Sequence, residues 1–218
     1  MNFLSHGYEH LDTPYLLAGT AVPDWLGLVA RGVRLREAQV REWTTHTDPT
    51  TRAVARGMLL HLEDDRWFHS APTFLALCDR FTARIRGALD VSEQLRPSFV
   101  AHIAIEMLLD GVLEVETPGL VDSYYAALEN VDPLALERIV SAVSGQAVTT
   151  LAPHVGRFKS WRFLGDYNDD ERFCVRVNQV LSRVDLAPLP PRFVALVPEF
   201  RGAVRSEKAA LLPRMRTE

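Results

Sequence analysis

Apolar residues recur along most of the chain at the three- and four-residue spacing of an α-helix. After Pro49, for example, Val54, Met58 and Leu62 would share one face of a helix that Asp48 caps. Only Ala147–Leu151 and Phe193–Val197 hint weakly at strand, and 186–191 reads as a Pro-rich turn. The predicted helices cover Val33–Trp43, Arg52–Phe68, Thr73–Leu89, Arg96–Val115, Leu120–Leu128, Pro133–Leu151 (with Asp132 as its cap), Asp169–Val184 and Arg192–Leu212. The pattern therefore predicts an all-α bundle that forms one domain over residues 1–218.

Composition narrows the class of protein. Of 218 residues, 47% are hydrophobic and 24% charged, with a formal net charge of −4, which is typical of a globular protein and not of a cationic nucleic-acid binder. Cys78 and Cys174 are too few for a disulfide scaffold or a thiolate zinc cluster, and we expect both to be reduced in a core. No apolar run approaches the roughly 18 residues that a membrane span needs, and no targeting segment is visible. We expect a cytoplasmic protein with neither a membrane nor a nucleic acid as partner.

Two of the predicted helices each carry three ionisable side chains spaced four residues apart. These are His61, Asp65 and His69 on one helix and His102, Glu106 and Asp110 on the other. Four residues of a helix make one full turn plus only ~40°, so the three side chains of each set lie along one narrow stripe of the helix surface. His61 and His69 are separated by roughly 12 Å of helical rise, too far for one ion, but His69 lies just before Pro72 and could turn toward a second ion.

A divalent cation would explain why such groups lie on apolar helices. Unpaired buried charges cost several kcal/mol each, and one ion can satisfy several ligands at once. His6 follows the apolar pair Phe3-Leu4, and Asp24 lies in the otherwise apolar segment 16–28, so both are further candidate ligands. The mixture of imidazoles and carboxylates suits Zn²⁺, Mn²⁺ or Fe²⁺ better than Ca²⁺ or Mg²⁺ alone.

The same residue types also allow interpretations without a metal. A single His/Asp pair is more often a hydrogen-bonded surface pair. Asp64 points about 100° away from Asp65 and is expected to be a solvated neighbour, and Asp110 could be only a charge near a helix end. His10, His46 and His154 have no patterned partners and are expected to be surface or core histidines. The basic residues Arg157, Lys159 and Arg162 form either a solvated loop or a clamp for phosphate oxygens.

The N-terminal residues Met1-Asn2-Phe3-Leu4-Ser5-His6 resemble the opening motif of the acyl carrier protein phosphodiesterases. The segment 16–25 is similar to that family's small-residue segment ending in an Asp, and His61 and Asp65 stand where the family has a His and, four residues on, an Asp. His102 and Glu106 stand at two spaced acidic positions of the family, within an apolar helix. The resemblance runs over most of the chain. It implies an all-α, distorted HD-type fold and a metal-dependent hydrolase that releases phosphopantetheine from the carrier protein.

Pattern and resemblance together predict a phosphoester hydrolase with two divalent ions, and the resemblance alone implies that its substrate is a diester. The predicted ligands are His6, Asp24, His61, Asp65, His69, His102 and Glu106. Asp65 would bridge the ions, and Asp65 and Glu106 are the predicted catalytic residues. The ions would lower the pKa of a shared water toward ~7, and the resulting hydroxide would attack phosphorus in line while Arg157, Lys159 or Arg162 binds the phosphate.

Two other functions stay open at this point. The ligand order is also similar to that of zinc-dependent phospholipases C and single-strand nucleases, which are all-α. It consists of His61, Asp65 and His69 on one helix and His102 and Glu106 on another. Alternatively, the chain is a helical binding module that has lost the activity. That module would pair its His/Asp stripes with arginines, for which Arg34, Arg52, Arg56 and Arg66 are available.

Overall fold

The computed structural model describes residues 1–88 and 95–212, and within these residues the chain is α-helical and contains no strand. The all-α prediction is confirmed. The α-helices are α1 (Phe3–Gly7), α2 (Pro14–Val29), α3 (Glu37–Trp43), α4 (Pro49–Ser70), α5 (Pro72–Ala88), α6 (Pro97–Glu116), α7 (Leu120–Glu129), α8 (Pro133–Ser144), α9 (Leu151–Trp161), α10 (Asp170–Arg183) and α11 (Val197–Leu211). Short 3-10 helices cover Phe163–Asn168 and Pro191–Leu196. Among the described helices, none combines the length and the apolar character that crossing a bilayer would require.

Two helix starts follow the predicted capping arrangement. The Asp48 carboxylate accepts a hydrogen bond from the Thr51 amide at 2.7 Å, and the Asp132 carboxylate accepts one from the Leu134 amide at 2.9 Å. In both cases a proline follows at the first helical position, where its missing N–H costs no hydrogen bond. The caps fix where α4 and α8 begin.

Several predicted boundaries are wrong. The helix predicted over Pro133–Leu151 ends at Ser144, because Gly145 takes a left-handed conformation (φ 65°) that closes the helix. Ala147–Leu151 is not a strand, since Leu151 opens α9. The strand suggested at Phe193–Val197 is instead a 3-10 turn leading into α11. Leu89, the predicted end of the helix from Thr73, lies outside the described residues.

By contacts, the described chain divides into two compact units. One, here called the His6 unit, comprises Phe3–Arg66 and Gly119–Phe163. The other, here called the His102 unit, comprises Met1–Asn2, Trp67–Pro118 and the chain from Leu164 onward. The prediction of one domain over residues 1–218 stays a prediction.

In the His6 unit, α2 lies at the centre and packs against α1, α7, α8 and α9. Its fully buried Trp25 meets Phe158 edge-on, and Phe158 also contacts Phe3, with ring centroids 5.2 and 4.8 Å apart. Aromatic contacts of this kind add to the burial of apolar area. They anchor α1, and with it His6, on the core.

In the His102 unit, α6 is the central helix and packs against α5, α10 and α11. Phe81 and Phe200 stack with their centroids 3.9 Å apart beside it. Asp110 on α6 is fully buried, so the prediction that it is a charge near a helix end is wrong. Cys78 and Cys174 are free thiols and are half-buried. The prediction that both lie in a core is therefore wrong.

Candidate metal centres

Three predicted ligands converge within the His6 unit. Each of His6, His61 and Asp65 offers one ligand atom, and these atoms all lie within 4.8 Å of one another. His6 comes from α1, whereas His61 and Asp65 are one turn apart on α4. The predicted ligand Asp24, on α2, is also near, with Oδ1 3.9 Å from His61 Nε2. We call these four residues the His6 cluster.

A close crossing of α2 and α4 places His61. Gly19 and Gly57 face each other where the helices cross, and a Cβ at Gly57 would overlap the Leu16 carbonyl oxygen. Because neither glycine carries a side chain, the two backbones approach closely enough for His61 Nδ1 to reach the Thr20 carbonyl oxygen at 2.7 Å. A carbonyl oxygen can only accept, so Nδ1 carries the hydrogen and donates it.

The other nitrogen of the His61 ring faces carboxylates. Nε2 lies 3.6 Å from Asp65 Oδ2 and 3.9 Å from Asp24 Oδ1. Burial, with the charge of His6 in addition, holds the pKa of His61 well below its usual range, so the ring is neutral at pH 7. Nε2 therefore directs a lone pair toward two anionic groups. A cation between them would turn this repulsion into attraction.

His6 is the most deeply enclosed member of the cluster. Its side chain has no exposed surface, and within the described residues neither ring nitrogen makes a hydrogen bond. Nε2 lies 3.3 Å from Asp65 Oδ1, and Nδ1 lies 3.8 Å from Asp64 Oδ2. Burial alone would lower the pKa of His6, but the carboxylates of Asp64 and Asp65 outweigh it and raise the pKa.

The cluster opens to solvent on its carboxylate side. The side chains of Asp24 and Asp65 are 32% and 31% exposed, whereas that of His61 is 4% exposed. Burial works to raise the pKa of Asp65, but the contact with His6 outweighs it and holds that pKa well below its usual range. The imidazoles thus form the closed back of the cluster, and a ligand would enter past ionised carboxylates.

The other three predicted ligands converge within the His102 unit. Ligand atoms of His69, His102 and Glu106 also lie within 4.8 Å of one another. Glu106 Oε1 is 2.9 Å from His69 Nε2, 3.2 Å from His102 Nε2 and 3.2 Å from the amino group of Met1. We call the three side chains the Glu106 cluster.

The Glu106 cluster has the opposite arrangement to the His6 cluster. The Glu106 carboxylate is the least exposed member, with its side chain 14% exposed, whereas His69 and His102 are 34% and 38% exposed. Burial would raise the pKa of Glu106, but the amino group of Met1 and the two imidazoles outweigh it and hold the pKa well below its usual range. Glu106 therefore has hydrogen-bond and charge partners before any ion is present.

Sequence reasoning missed Asp64, and the prediction that it is solvated is wrong. The residue is 8% exposed, because its side chain turns toward His6 on α1 instead of toward water. Its position beside Asp65 was the available signal. No local pattern indicated that α1 would lie against this face of α4.

The predicted phosphate-binding residues lie in the His6 unit on or at the end of α9, so the segment is a helix and not the loop that one interpretation predicted. Lys159 pairs with Glu129 at 3.1 Å, and Arg162 pairs with Asp122 at 2.5 Å and lies over the Tyr125 ring. Arg157 is exposed. Two of these three cations thus already have carboxylate partners.

Two of the four arginines suggested as partners for the stripes have other contacts, and the other two are exposed. Arg66 pairs with Glu37, and Arg52 donates to the backbone carbonyl of His46 at 2.6 Å. Arg34 and Arg56 are exposed. His46 itself stacks on Trp43 at the surface.

The chain matches no protein-family model, no curated protein and no solved structure. A function therefore has to be inferred from the groups that the fold brings together.

Proposed function

We propose that the chain is a metal-dependent phosphodiester hydrolase whose divalent ion is held by His6, His61 and Asp65, with Asp24 beside them. The supporting observation is the orientation of the His61 ring, whose Nδ1–H donates to the Thr20 carbonyl oxygen, so that Nε2 faces the carboxylates of Asp65 and Asp24. The buried His6 ring adds to it, because its nitrogens make no hydrogen bond within the described residues. A lone pair that faces two carboxylates is repelled without a cation and attracted with one, and the same ion would bind a nitrogen of His6.

Two imidazole nitrogens and one carboxylate are a ligand set that leaves a coordination position open for water, as catalytic zinc sites do. A divalent ion bound there would supply Lewis acidity and lower the pKa of a bound water to about 7. Asp24, whose side chain is 32% exposed beside the cluster, would take the proton of that water. Oxygen attack on phosphorus would then break the phosphorus–oxygen bond to the leaving alcohol.

The resemblance to the acyl carrier protein phosphodiesterases supports the phosphodiester substrate. The three segments that carry it contain His6, Asp24, and His61 with Asp65. These are the residues that meet in the His6 cluster. We therefore propose a phosphopantetheinylated carrier protein as the first substrate to test.

A second ion at the Glu106 cluster is part of the same proposal. It has less support, since an ion there would have to replace the contacts that Glu106 makes with His69, His102 and the amino group.

The proposal is tested by elemental analysis of protein from metal-replete medium, followed by a hydrolysis screen. The screen uses bis-p-nitrophenyl phosphate and a phosphopantetheinylated carrier protein with Mn²⁺, Zn²⁺ and Fe²⁺. We expect His6→Ala and His61→Ala to lose both the ion and the hydrolysis. His46→Ala is the matched control, because His46 is a surface histidine stacked on Trp43, and it should keep both. Wild-type protein that binds no transition metal would disprove the site. Bound metal without hydrolysis of either substrate would disprove the activity.

A further inference from the structure

The two imidazoles of the His6 cluster have different groups behind them. His61 Nδ1 donates to the Thr20 carbonyl, which leaves Nε2 as the only nitrogen that can bind an ion. Behind His6, on the side of Nδ1, lies Asp64, with Oδ2 3.8 Å from that nitrogen. The side chain of Asp64 is 11% exposed, so its carboxylate is directed into the protein.

In the His6 cluster, Nε2 is the nitrogen that each ring directs toward Asp65, and it would be the ligand atom of both rings. His6 Nε2 is 3.3 Å from Asp65 Oδ1, and His61 Nε2 is 3.6 Å from Asp65 Oδ2. The rings stack with their centroids 4.0 Å apart, so both present the same edge to Asp65. When His6 Nε2 binds an ion, Nδ1 must carry the hydrogen, and a buried N–H needs an acceptor.

We propose that Asp64 is a positioning residue for His6, an inference that rests on the metal site proposed above. Its carboxylate accepts a hydrogen bond from His6 Nδ1–H and thereby holds Nε2 as the ligand. Metal-binding histidines are commonly held from behind by a carboxylate or a carbonyl, which fixes the tautomer and makes the ligand nitrogen more basic. Asp64 serves His6 in this way, and the Thr20 carbonyl serves His61. The separation of 3.8 Å has to shorten to hydrogen-bond length when the ion binds.

The experiment measures Zn²⁺ affinity by competition with a chelator in wild type, Asp64→Ala and Asp64→Asn. Removing such a supporting carboxylate typically weakens binding about 10- to 100-fold, and we expect that loss for Asp64→Ala. Asp64→Asn keeps an acceptor oxygen and should recover most of the affinity. Glu63→Gln is the matched control, a neighbouring carboxylate on α4 that pairs with Arg41 instead of His6, and its affinity should equal that of wild type.

A second readout reports the tautomer directly. In ¹⁵N spectra of the Zn²⁺-loaded wild type, His6 should show a protonated Nδ1 and a metal-bound Nε2. The proposal is overturned if Nδ1 is the bound nitrogen, or if Asp64→Ala binds Zn²⁺ as tightly as wild type. It is also overturned if Asp64→Ala loses Zn²⁺ as completely as His6→Ala, because Asp64 would then be a ligand itself. Wild type that binds no Zn²⁺ would remove the metal site and this inference together, whereas binding that is insensitive to Asp64 removes the inference alone.

Discussion

The imidazole rings of His6 and His61 stack with their centroids 4.0 Å apart and an interplanar angle of 25°. Two buried rings at that distance cannot both be charged without strong repulsion. Their pKa values accordingly shift in opposite directions, upward for His6 and well downward for His61. The proton of the pair is therefore on His6, where Asp64 and Asp65 stabilise it, and His61 is a ready ligand.

This difference predicts how metal binding depends on pH. His6 must lose its proton to become a ligand, so protons compete with the ion wherever His6 is charged. Because the pKa of His6 is raised, His6 of the metal-free protein is protonated below its ordinary pKa of 6.5. Each ion that binds must then displace this proton, so Zn²⁺ affinity should fall about tenfold for each pH unit below that value. Isothermal titration between pH 5.5 and 7.5, values chosen to lie about one unit either side of that ordinary pKa, would measure the slope. An affinity that stays constant over this range would show that His6 is not a ligand.

In the metal-free protein the contributions of the two rings to stability have opposite pH dependences. A raised pKa means that the folded state binds the proton of His6 more tightly than the unfolded state, so that contribution is present below the unfolded pKa and is lost as pH rises through the folded value. The lowered pKa of His61 contributes stability above the unfolded pKa, which is lost as pH falls through the folded value. Ion-binding experiments should therefore include metal-free reference measurements at each pH.

The close crossing of α2 and α4 predicts that Gly57→Ala is destabilising. The new Cβ would overlap the Leu16 carbonyl oxygen, a backbone atom that cannot move aside as a side chain could. Overpacking of this kind costs about 1–3 kcal/mol, and pushing the helices apart would also lengthen the contact between His61 and Thr20. Urea denaturation would measure the first effect, and Zn²⁺ affinity the second.

Gly27→Ala is the matched control for this substitution. Gly27 lies on α2, and a Cβ there meets nothing within 4 Å. Since alanine is the better helix former, this variant should be unchanged or more stable by up to about 1 kcal/mol. Equal stability of the two variants would contradict the close crossing.

The fold class could be predicted from the sequence because it depends on local signals. Helical spacing and the Asp-Pro caps at Asp48 and Asp132 are encoded within a few residues, and the structure has the helices that they indicate. The ends were less predictable, because Gly145 closes α8 where a continuous pattern was expected. Such ends are set by one backbone conformation.

The candidate site was predictable only in part. The spacing of His61 and Asp65 places both on one face of α4, and the structure brings His6 and Asp24 to that face. What the sequence could not provide was the environment behind the rings. Asp64 turns inward because α1 packs over it, and that contact joins residues far apart in the chain. Nothing local distinguishes this position from a solvated one.

The thiols of Cys78 and Cys174 should react slowly in the folded protein. Burial raises their pKa to about 12 and about 11, respectively, with nearby carboxylates adding to the shift. Since the thiolate is the reactive form, alkylation by iodoacetamide at pH 8, about half a unit below the pKa of a free thiol, should be slower by a factor of a hundred or more than in unfolded protein. Mass spectrometry of timed samples measures both sites. Modification of either cysteine at the rate of the unfolded chain would contradict the prediction.

The Glu106 cluster predicts that its contribution to the free energy of unfolding is lost at acidic pH. The pKa of Glu106 is held low, so its contribution is complete above the unfolded value of about 4.5 and is lost as pH falls through the folded value. Glu106→Gln should therefore cost about 1.5–3 kcal/mol at neutral pH with a chelator present, because a hydrogen-bonded buried charge is removed from its partners. The cost should shrink as pH falls below about 4.5, because the carboxylate of the unfolded wild type then takes up a proton that the folded protein binds only at lower pH. Denaturation of both proteins across this range gives the difference directly.

Glu199→Gln is the control, since Glu199 forms an exposed pair with Arg84 that should be worth less than about 1 kcal/mol. A cost for Glu106→Gln that is unchanged by acid would mean that the carboxylate's charge contributes nothing to the fold.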